Sequence, residues 1–385
     1  MRIIHYIDNI KAGNLLSDYL LRLTTAQKEY ADVKTITQQG DFKKLLADFH
    51  PDIVHIHTCW EHQAATHANW AAKKQCAVVF SPHWELDERA RTTEQKSTKK
   101  VKTLLYQAKM VRGVDALLVS SEQERQDILK LGWTKRIDIV QDSVLNSSLS
   151  DDDMALQTIS FYRKVLDTRY QFAMTAMEKD AIPSLLHVGL AQETTHNLLP
   201  SNQLLNLRSL NPEQWRRIFL YADDEGIREI VDNCISRLQL NAPTIDTATI
   251  QRFPLLSPKE TTSVDTDKLI GNQPMTRQRL SDYSNEEDAI IKKIATIIAN
   301  TRQIERKKKL SLRLLADLYT VIKYNDYDED RLADALRHLR LYRYSCRMIQ
   351  LLAEKVLLKE GFMPVPPRDD RKTKGIKRNN FVQRH

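Results

Sequence analysis

The chain has 385 residues, of which 42% are hydrophobic and 28% charged, enough for two or three domains with cores of their own. No apolar run approaches the roughly 20 residues needed to cross a bilayer. The opening MRIIHYIDNI lacks the apolar stretch and small-residue cleavage site of a signal peptide, so a cytoplasmic protein is expected. The net charge of +8 is uneven: residues 301–385 hold 21 Lys or Arg against 11 Asp or Glu, so the basic character belongs to the C-terminal region.

From Met1 to about Asn146, short apolar runs alternate with helical patterns. Strands are predicted at Ile3–Ile7, Asp32–Ile36, Ile53–Ile56, Ala77–Phe80, Ala116–Val119 and Ile137–Val140. Leu15, Leu16, Tyr19, Leu20 and Leu23 mark a first intervening helix, and Phe42, Leu45, Leu46 and Phe49 a second. Short β-branched runs alternating with helices predict a parallel sheet covered on both faces. Residues 151–177 read as helix, with Asp151, Asp152 and Asp153 at the end the helix dipole favours. A second, poorer α/β block is predicted from Ser184–Val188 and Arg217–Tyr221 as strands, followed by a helix over 226–238. Residues 254–284 read as an ordered loop or linker, and 285–363 as a helical region ending near Gly361. The tail, 364–385, is basic, polar and expected to be disordered.

The four cysteines, Cys59, Cys76, Cys234 and Cys346, are scattered and form neither a metal-ligand spacing nor a disulfide framework. They read as reduced thiols. The stretch PDIVHIHTCW places His55 and His57 two apart on a strand, hence on one face. Three readings stand open there: a metal site, the solvated end of an ordinary strand, or a substrate-binding strand end. Against metal, His62 and His67 are five apart and share no helix face, and no carboxylate or cysteine completes a ligand set. No metal and no cofactor is expected. VVFSPHWE repeats the His–Trp arrangement one strand later with His83 and Trp84. Ligands of open parallel sheets sit beyond the carboxyl ends of strands, where these side chains belong. After the first strand, Gly13 and Asn14 lead into a helix whose N-terminus favours an anion; a plain turn is the alternative.

Arg337, Arg340, Arg343 and Arg347 recur at helical spacing with Tyr342 and Tyr344 between them. A solvated helix face, nucleic acid or anionic lipid would each account for the stripe.

In order and spacing, the glycine loop, PDIVHIHTCW, VVFSPHWELD, VDALLVSSEQERQDILKLGW and RIDIVQDSV resemble the N-terminal domain of family 4 glycosyltransferases. The likeness covers residues 1–146 and is nearest to glycosyltransferase-like proteins of Bacteroidetes type. It implies an α/β protein of GT-B type, with two facing Rossmann-like domains. It also implies sugar transfer from a nucleotide-sugar donor to a glycan or lipid-linked acceptor, without an active-site metal. It puts His83 by the reacting sugar and Gly13 and Asn14 near the donor phosphates. His57 and Trp60 would line the acceptor side. Contact with an anionic inner membrane face would go through the basic C-terminal region, with nucleic acid the lesser expectation.

The second half departs from that family. Its V-G-R-L element and following lysine correspond at best to Val188-Gly189-Leu190-Ala191, and no two glutamates are eight apart. Asp223, Asp224 and Glu225 stand where a diphosphate would prefer donors. The expected organisation is therefore 1–146 Rossmann-like, 147–253 a connector and degenerate second α/β domain, 254–284 linker, 285–363 helical and 364–385 tail. A catalytically degenerate relative serving as a binding or scaffold protein is the alternative to the enzyme. A basic helical nucleic-acid binder is the third reading.

Overall fold

The computed structural model describes residues 1–92, 96–193, 199–255 and 257–381. The chain divides into two compact units. Over the described residues, the first is Met1–Arg169 with Ile250–Pro254, and the second is Tyr170–Thr249 with residues 255–381.

The first unit has the predicted sheet. Strands β1 (Arg2–Tyr6), β2 (Asp32–Ile36), β3 (Ile53–Ile56), β4 (Ala77–Phe80), β5 (Ala116–Val119) and β6 (Ile137–Ile139) lie in the order β2-β1-β3-β4-β5-β6, all parallel. Such strands need crossovers, and the helices supply them. Leading among these are α1 (Leu15–Gln27), α2 (Phe42–Phe49), α3 (His62–Lys73), α4 (Glu88–Thr92), α5 (Lys96–Lys102), α6 (Ala108–Gly113), α7 (Glu122–Lys130) and α8 (Asp151–Thr168). Because strand side chains alternate, one face of the sheet (Ile4, Tyr6, Val54, Ile56, Val78, Phe80, Leu117) packs with Leu46, Ala68, Val111 and Ile128. The other (Ile3, Ile53, Ala77, Val79, Ala116, Leu118) packs with Tyr19, Leu20, Leu23, Phe161, Tyr162 and Val165. Polar side chains enter the second of these faces where His5 and His55 pair in register between β1 and β3, both fully buried.

Helix α8 lies against α1 and so belongs to this first unit, not to a connector beginning at 147. Ser150 caps it by accepting from Asp153 N, and Asp151–Asp153 fill its first turn as expected.

Among the described residues of the second unit there is no strand. Ser184–Val188 and Arg217–Tyr221, expected as strands, lie inside α9 (Ala176–Leu190) and α11 (Pro212–Asp224). Both helices start with a capping box, Thr175 with Glu178 and Asn211 with Gln214. Gly189, matched to a family loop from the sequence, is helical and allows α9 to touch α12 (Arg228–Leu238): a Cβ there would lie 2.0 Å from Ile230 O. The remaining helices are α10 (Ser201–Arg208), α13 (Pro274–Leu280), α14 (Ala289–Arg306), α15 (Leu312–Lys323), α16 (Glu329–His338), α17 (Tyr342–Val356) and α18 (Arg371–Asn380). Within the predicted helical region Arg340, whose φ is 57°, separates α16 from α17, and α17 stops at Leu357 rather than Gly361.

The tail is not featureless. Asp370 caps α18 in a capping box with Thr373, Arg347 clasps Asp370 with both donors at 2.8–3.1 Å, and Lys377 reaches Glu354 at 2.9 Å. Ile376 is buried, and Asn380 Oδ1 accepts from Leu310 N at 3.1 Å. Two buried apolar side chains, Val365 and Ile376, leave little hydropathic signal, so much of the order comes from polar partners that a hydropathy pattern does not register. Residues 382–385 of the predicted tail lie outside the described residues.

Candidate functional site

The carboxyl ends of β4, β5 and β6 and the start of α1 enclose a cleft of about 200 Å³. Its polar lining is Tyr19, Ser81, His83, Ser120, Glu124 and Asp142; its apolar lining includes Leu15, Leu16, Trp84, Val140 and Leu145. Among the described residues, no lysine or arginine lines it. The volume is below the roughly 300–1,000 Å³ of drug-sized sites, so it suits one small ring rather than a whole nucleotide sugar.

Behind His83 runs a buried file of imidazoles. His83 Nε2 lies 3.0 Å from His57 Nδ1, His57 Nε2 2.9 Å from His5 Nδ1, and His5 Nε2 2.8 Å from Gln27 Oε1. Burial pushes His5 and His83 down to about 4 and His57 well below the ordinary imidazole value, so all three are neutral at pH 7. A neutral ring has one N–H, and the amide oxygen of Gln27 can only accept. With Gln27 turned so that its oxygen meets His5, His5 donates to Gln27, His57 to His5, and His83 to His57. The lone pair left over is on His83 Nδ1, at the cleft. Beside this file, His55 has both nitrogens occupied, by Tyr162 OH at 2.6 Å and Ser81 Oγ at 2.8 Å.

His5, His55 and His57 bring possible ligand atoms within 4.8 Å of one another. The set does not fit a cation. The rings of His55 and His57 lie over one another at 4.0 Å between centroids, tilted by 35°, and every nitrogen of the three already has a hydrogen-bond partner. A ligand set needs lone pairs converging on one point. His67 is buried against Phe42, ring on ring at 4.1 Å, and His62 packs on Tyr106; neither joins the cluster.

The loop that presents His83 is strained. His83 and Trp84 have φ of 47° and 68°, left-handed values that bulky residues rarely adopt. Glu124 holds it there. It is buried at the start of α7, and its carboxylate accepts from Trp84 N at 2.6 Å and from Ser120 N at 3.0 Å. Burial raises its pKa, against those hydrogen bonds. Sequence reasoning missed Glu124; the signal available was the S-x-x-E run Ser121–Glu124, a helix start directly after β5.

Of the residues given site roles from the sequence (Gly13, Asn14, His57, Trp60 and His83), His83 lines the cleft and the other four do not. His57 is buried behind it and Trp60 is tucked under the loop, its indole donating to Glu85 O at 3.1 Å. Neither offers an atom to an acceptor. Trp60 also has a left-handed φ, 62°, and its backbone is gripped by Gln107 Oε1 at 2.9 Å and Tyr106 OH at 2.7 Å. Gly13 is exposed with φ 72° and open space where a Cβ would stand. The Asn14 side chain is occupied as the N-cap of α1, accepting from Ser17 N at 3.1 Å.

Residues 17–141 match the family model for a glycosyl transferase 4-like domain. The match spans α1 to the end of β6, and so includes every cleft residue from Tyr19 to Val140. The glycosyl transferase 4-like region thus has its Rossmann-like sheet, and the chain is glycosyltransferase-like over that stretch. No curated protein and no solved structure matches the chain.

The carboxylates that stood against a diphosphate in the sequence have other work. Glu225 is buried with Lys259 and accepts from Leu312 N at 2.8 Å, and Asp224 accepts from Tyr170 OH at 2.8 Å. Two arginines of the C-terminal stripe are likewise engaged within the second unit. Arg337 pairs with Asp334 and lies over Tyr342, and Arg347 binds Asp370. Arg340 and Arg343 are exposed.

Proposed function

We propose that the first unit is the acceptor-side half of a glycosyltransferase-like protein, and that its cleft takes a single sugar ring of a glycan or glycolipid. The observation that carries this reading is the lining of the cleft. A lone pair on His83 and the carboxylate of Asp142 can accept hydrogen bonds, Ser81 and Ser120 line the cleft with hydroxyls already bonded to His55 and Glu124, and among the described residues no cation lines it to hold a phosphate. Such a surface suits a neutral polyol. His83 Nδ1 is the group placed to accept a hydrogen bond from a sugar hydroxyl, which makes it the catalytic candidate; His57 and Gln27 act through it.

The donor side is weaker. Gly13 and the backbone at the start of α1 offer amides to a phosphate, but Asn14 is spent on the cap. A second reading, a relative that binds sugar without transferring it, is favoured by the helical second unit, which lacks the parallel strands of a nucleotide-binding half.

Titration calorimetry with uridine and guanosine diphosphate sugars separates the two. Each charge-assisted hydrogen bond to phosphate contributes roughly 1.5–3 kcal/mol, and the cleft supplies none from a side-chain cation. Affinity no tighter than about 1 mM, near −4 kcal/mol, is expected. Micromolar binding would restore an ordinary nucleotide-sugar transferase. Saturation-transfer NMR with neutral oligosaccharides should give signals that His83→Ala abolishes; their absence across a broad panel would sink the sugar reading.

A further inference from the structure

The segment 96–113 joins β4 to β5 through α5, one turn of π-helix (Thr103–Gln107) and α6. It holds six Lys or Arg and no Asp or Glu. Its inner face is anchored. Gln107 and Val111 are fully buried, Met110 nearly so, and Tyr106 and Gln107 grip the backbone of Trp60. Its outer face carries Val101 at 56% exposure, Leu105 at 68% and Leu104 at 86%. Along the segment Val101, Leu104 and Leu105 are exposed while Gln107, Met110 and Val111 are buried, which sets the three apolar side chains on the outward face. Lys100, Lys109 and Arg112 are exposed alongside them, and Lys102 is half-buried. Lys99 is turned inward, donating to Ala90 O at 2.6 Å.

From this arrangement we infer that the outer face of residues 97–112 docks on the surface of an anionic lipid bilayer. An apolar stripe bordered by lysines on a helix too polar to span is the pattern of a helix lying in the headgroup layer. The occupant follows from charge and chemistry. Protein interfaces are poor in lysine and centre on aromatic or arginine anchors, and here the one aromatic side chain, Tyr106, is turned inward. Nucleic acid would satisfy the lysines but leave Leu104 and Leu105 facing phosphodiesters. Anionic lipid satisfies both, with acyl chains for the leucines and headgroup phosphates for the lysines. The same helix holds the loop after β3 in place, so docking would set the His57–His83 end of the sheet close to the bilayer. The inference moves membrane contact from the basic C-terminal helices to the first unit. It does not depend on the cleft binding sugar, so either can fail alone.

Vesicle flotation of the full chain tests it, using phosphatidylcholine alone and phosphatidylcholine with about three parts in ten of phosphatidylglycerol. The protein should float with the anionic vesicles, less so as salt is raised, and hardly at all with neutral ones. Leu104→Glu with Leu105→Glu should cut the bound fraction about tenfold or more, and Lys100→Ser with Lys109→Ser severalfold. These side chains are largely solvent-facing, so thermal melts should match wild type. Arg340→Ser with Arg343→Ser should float like wild type. The inference is overturned by wild-type protein that stays off anionic vesicles, or by a double-leucine variant that floats undiminished. Loss of flotation in the arginine variant alone would overturn it too. A wild-type dimer that the leucine variant dissolves, with no flotation, would show that the stripe meets a second copy instead.

Discussion

The two units treat buried polar groups in opposite ways. The first gathers them. His5, Gln27, His55, His57, Ser81, Tyr162 and Glu124 stand together behind one cleft, with His67 and Thr158 buried elsewhere in the unit. The second scatters them as separate latches. Arg217 clasps buried Glu178, Lys259 pairs with Glu225, and Asn300 binds the 265–270 loop by accepting from Ile270 N and donating to Asp265 O and Lys268 O. A latch satisfies its members and ends there. The histidine file ends on an unshared lone pair facing open space, and that difference marks the first unit as the place for chemistry.

Breaking a latch should cost the most. Glu178→Ala leaves Arg217 partly buried without its carboxylate and removes a capping box, so a loss of about 3–5 kcal/mol is expected in denaturant melts. A loss under about 1 kcal/mol would remove the pair from the set of structural latches.

Acid should attack the first unit next. His5 titrates at about 4 in the folded chain against 6.5 when unfolded, so below pH 6.5 the unfolded chain takes up the proton and the folded one does not. The stability held by its neutral form is fully present above 6.5 and is lost as pH falls toward 4. Each pKa unit is worth about 1.4 kcal/mol, and His55, His57 and His83 shift the same way. Urea midpoints for the first unit should fall across that window; a flat profile would mean the cluster is wetter than its burial.

Removing residues 368–385 should lower the melting temperature by several degrees, since Arg347, Glu354 and Leu310 N all lose partners. An unchanged melt would return the tail to the role its composition suggested.

The smallest effect on stability, and the sharpest on the comparison, should come from the file itself. His83→Ala should melt close to wild type, because the ring is only partly enclosed, while abolishing sugar binding. Gln27→Leu removes the acceptor that orients the file. Nitrogen-15 spectra of the imidazoles should then show His83 losing its single tautomer. If His83→Ala destabilises as much as Glu178→Ala, the file is one more latch and the contrast between the units fails.

Alternation of short β-branched runs with helical patterns was enough to specify the sheet, because a strand buried on both faces must be apolar throughout and brief. Pro51 and the strand-end histidines punctuated those runs. The same logic misread the second unit, where SLLHV and RIFLY are apolar pentads within longer helices. Periodicity cannot tell a buried strand from a stretch of buried helix. The capping boxes at Thr175 and Asn211 held the deciding signal. For the site, sequence placed His83 at a strand end, and the end of a parallel strand is open by construction. It could not rank His57, Trp60 and His83, since all three follow strands in similar motifs. Only packing decided that Trp60 folds under its loop and that His57 lies between His5 and His83. Which nitrogen meets the cleft was likewise settled by Gln27, a residue of α1 brought to β1 by the tertiary fold alone, because a tautomer is fixed by whatever stands next to it in space.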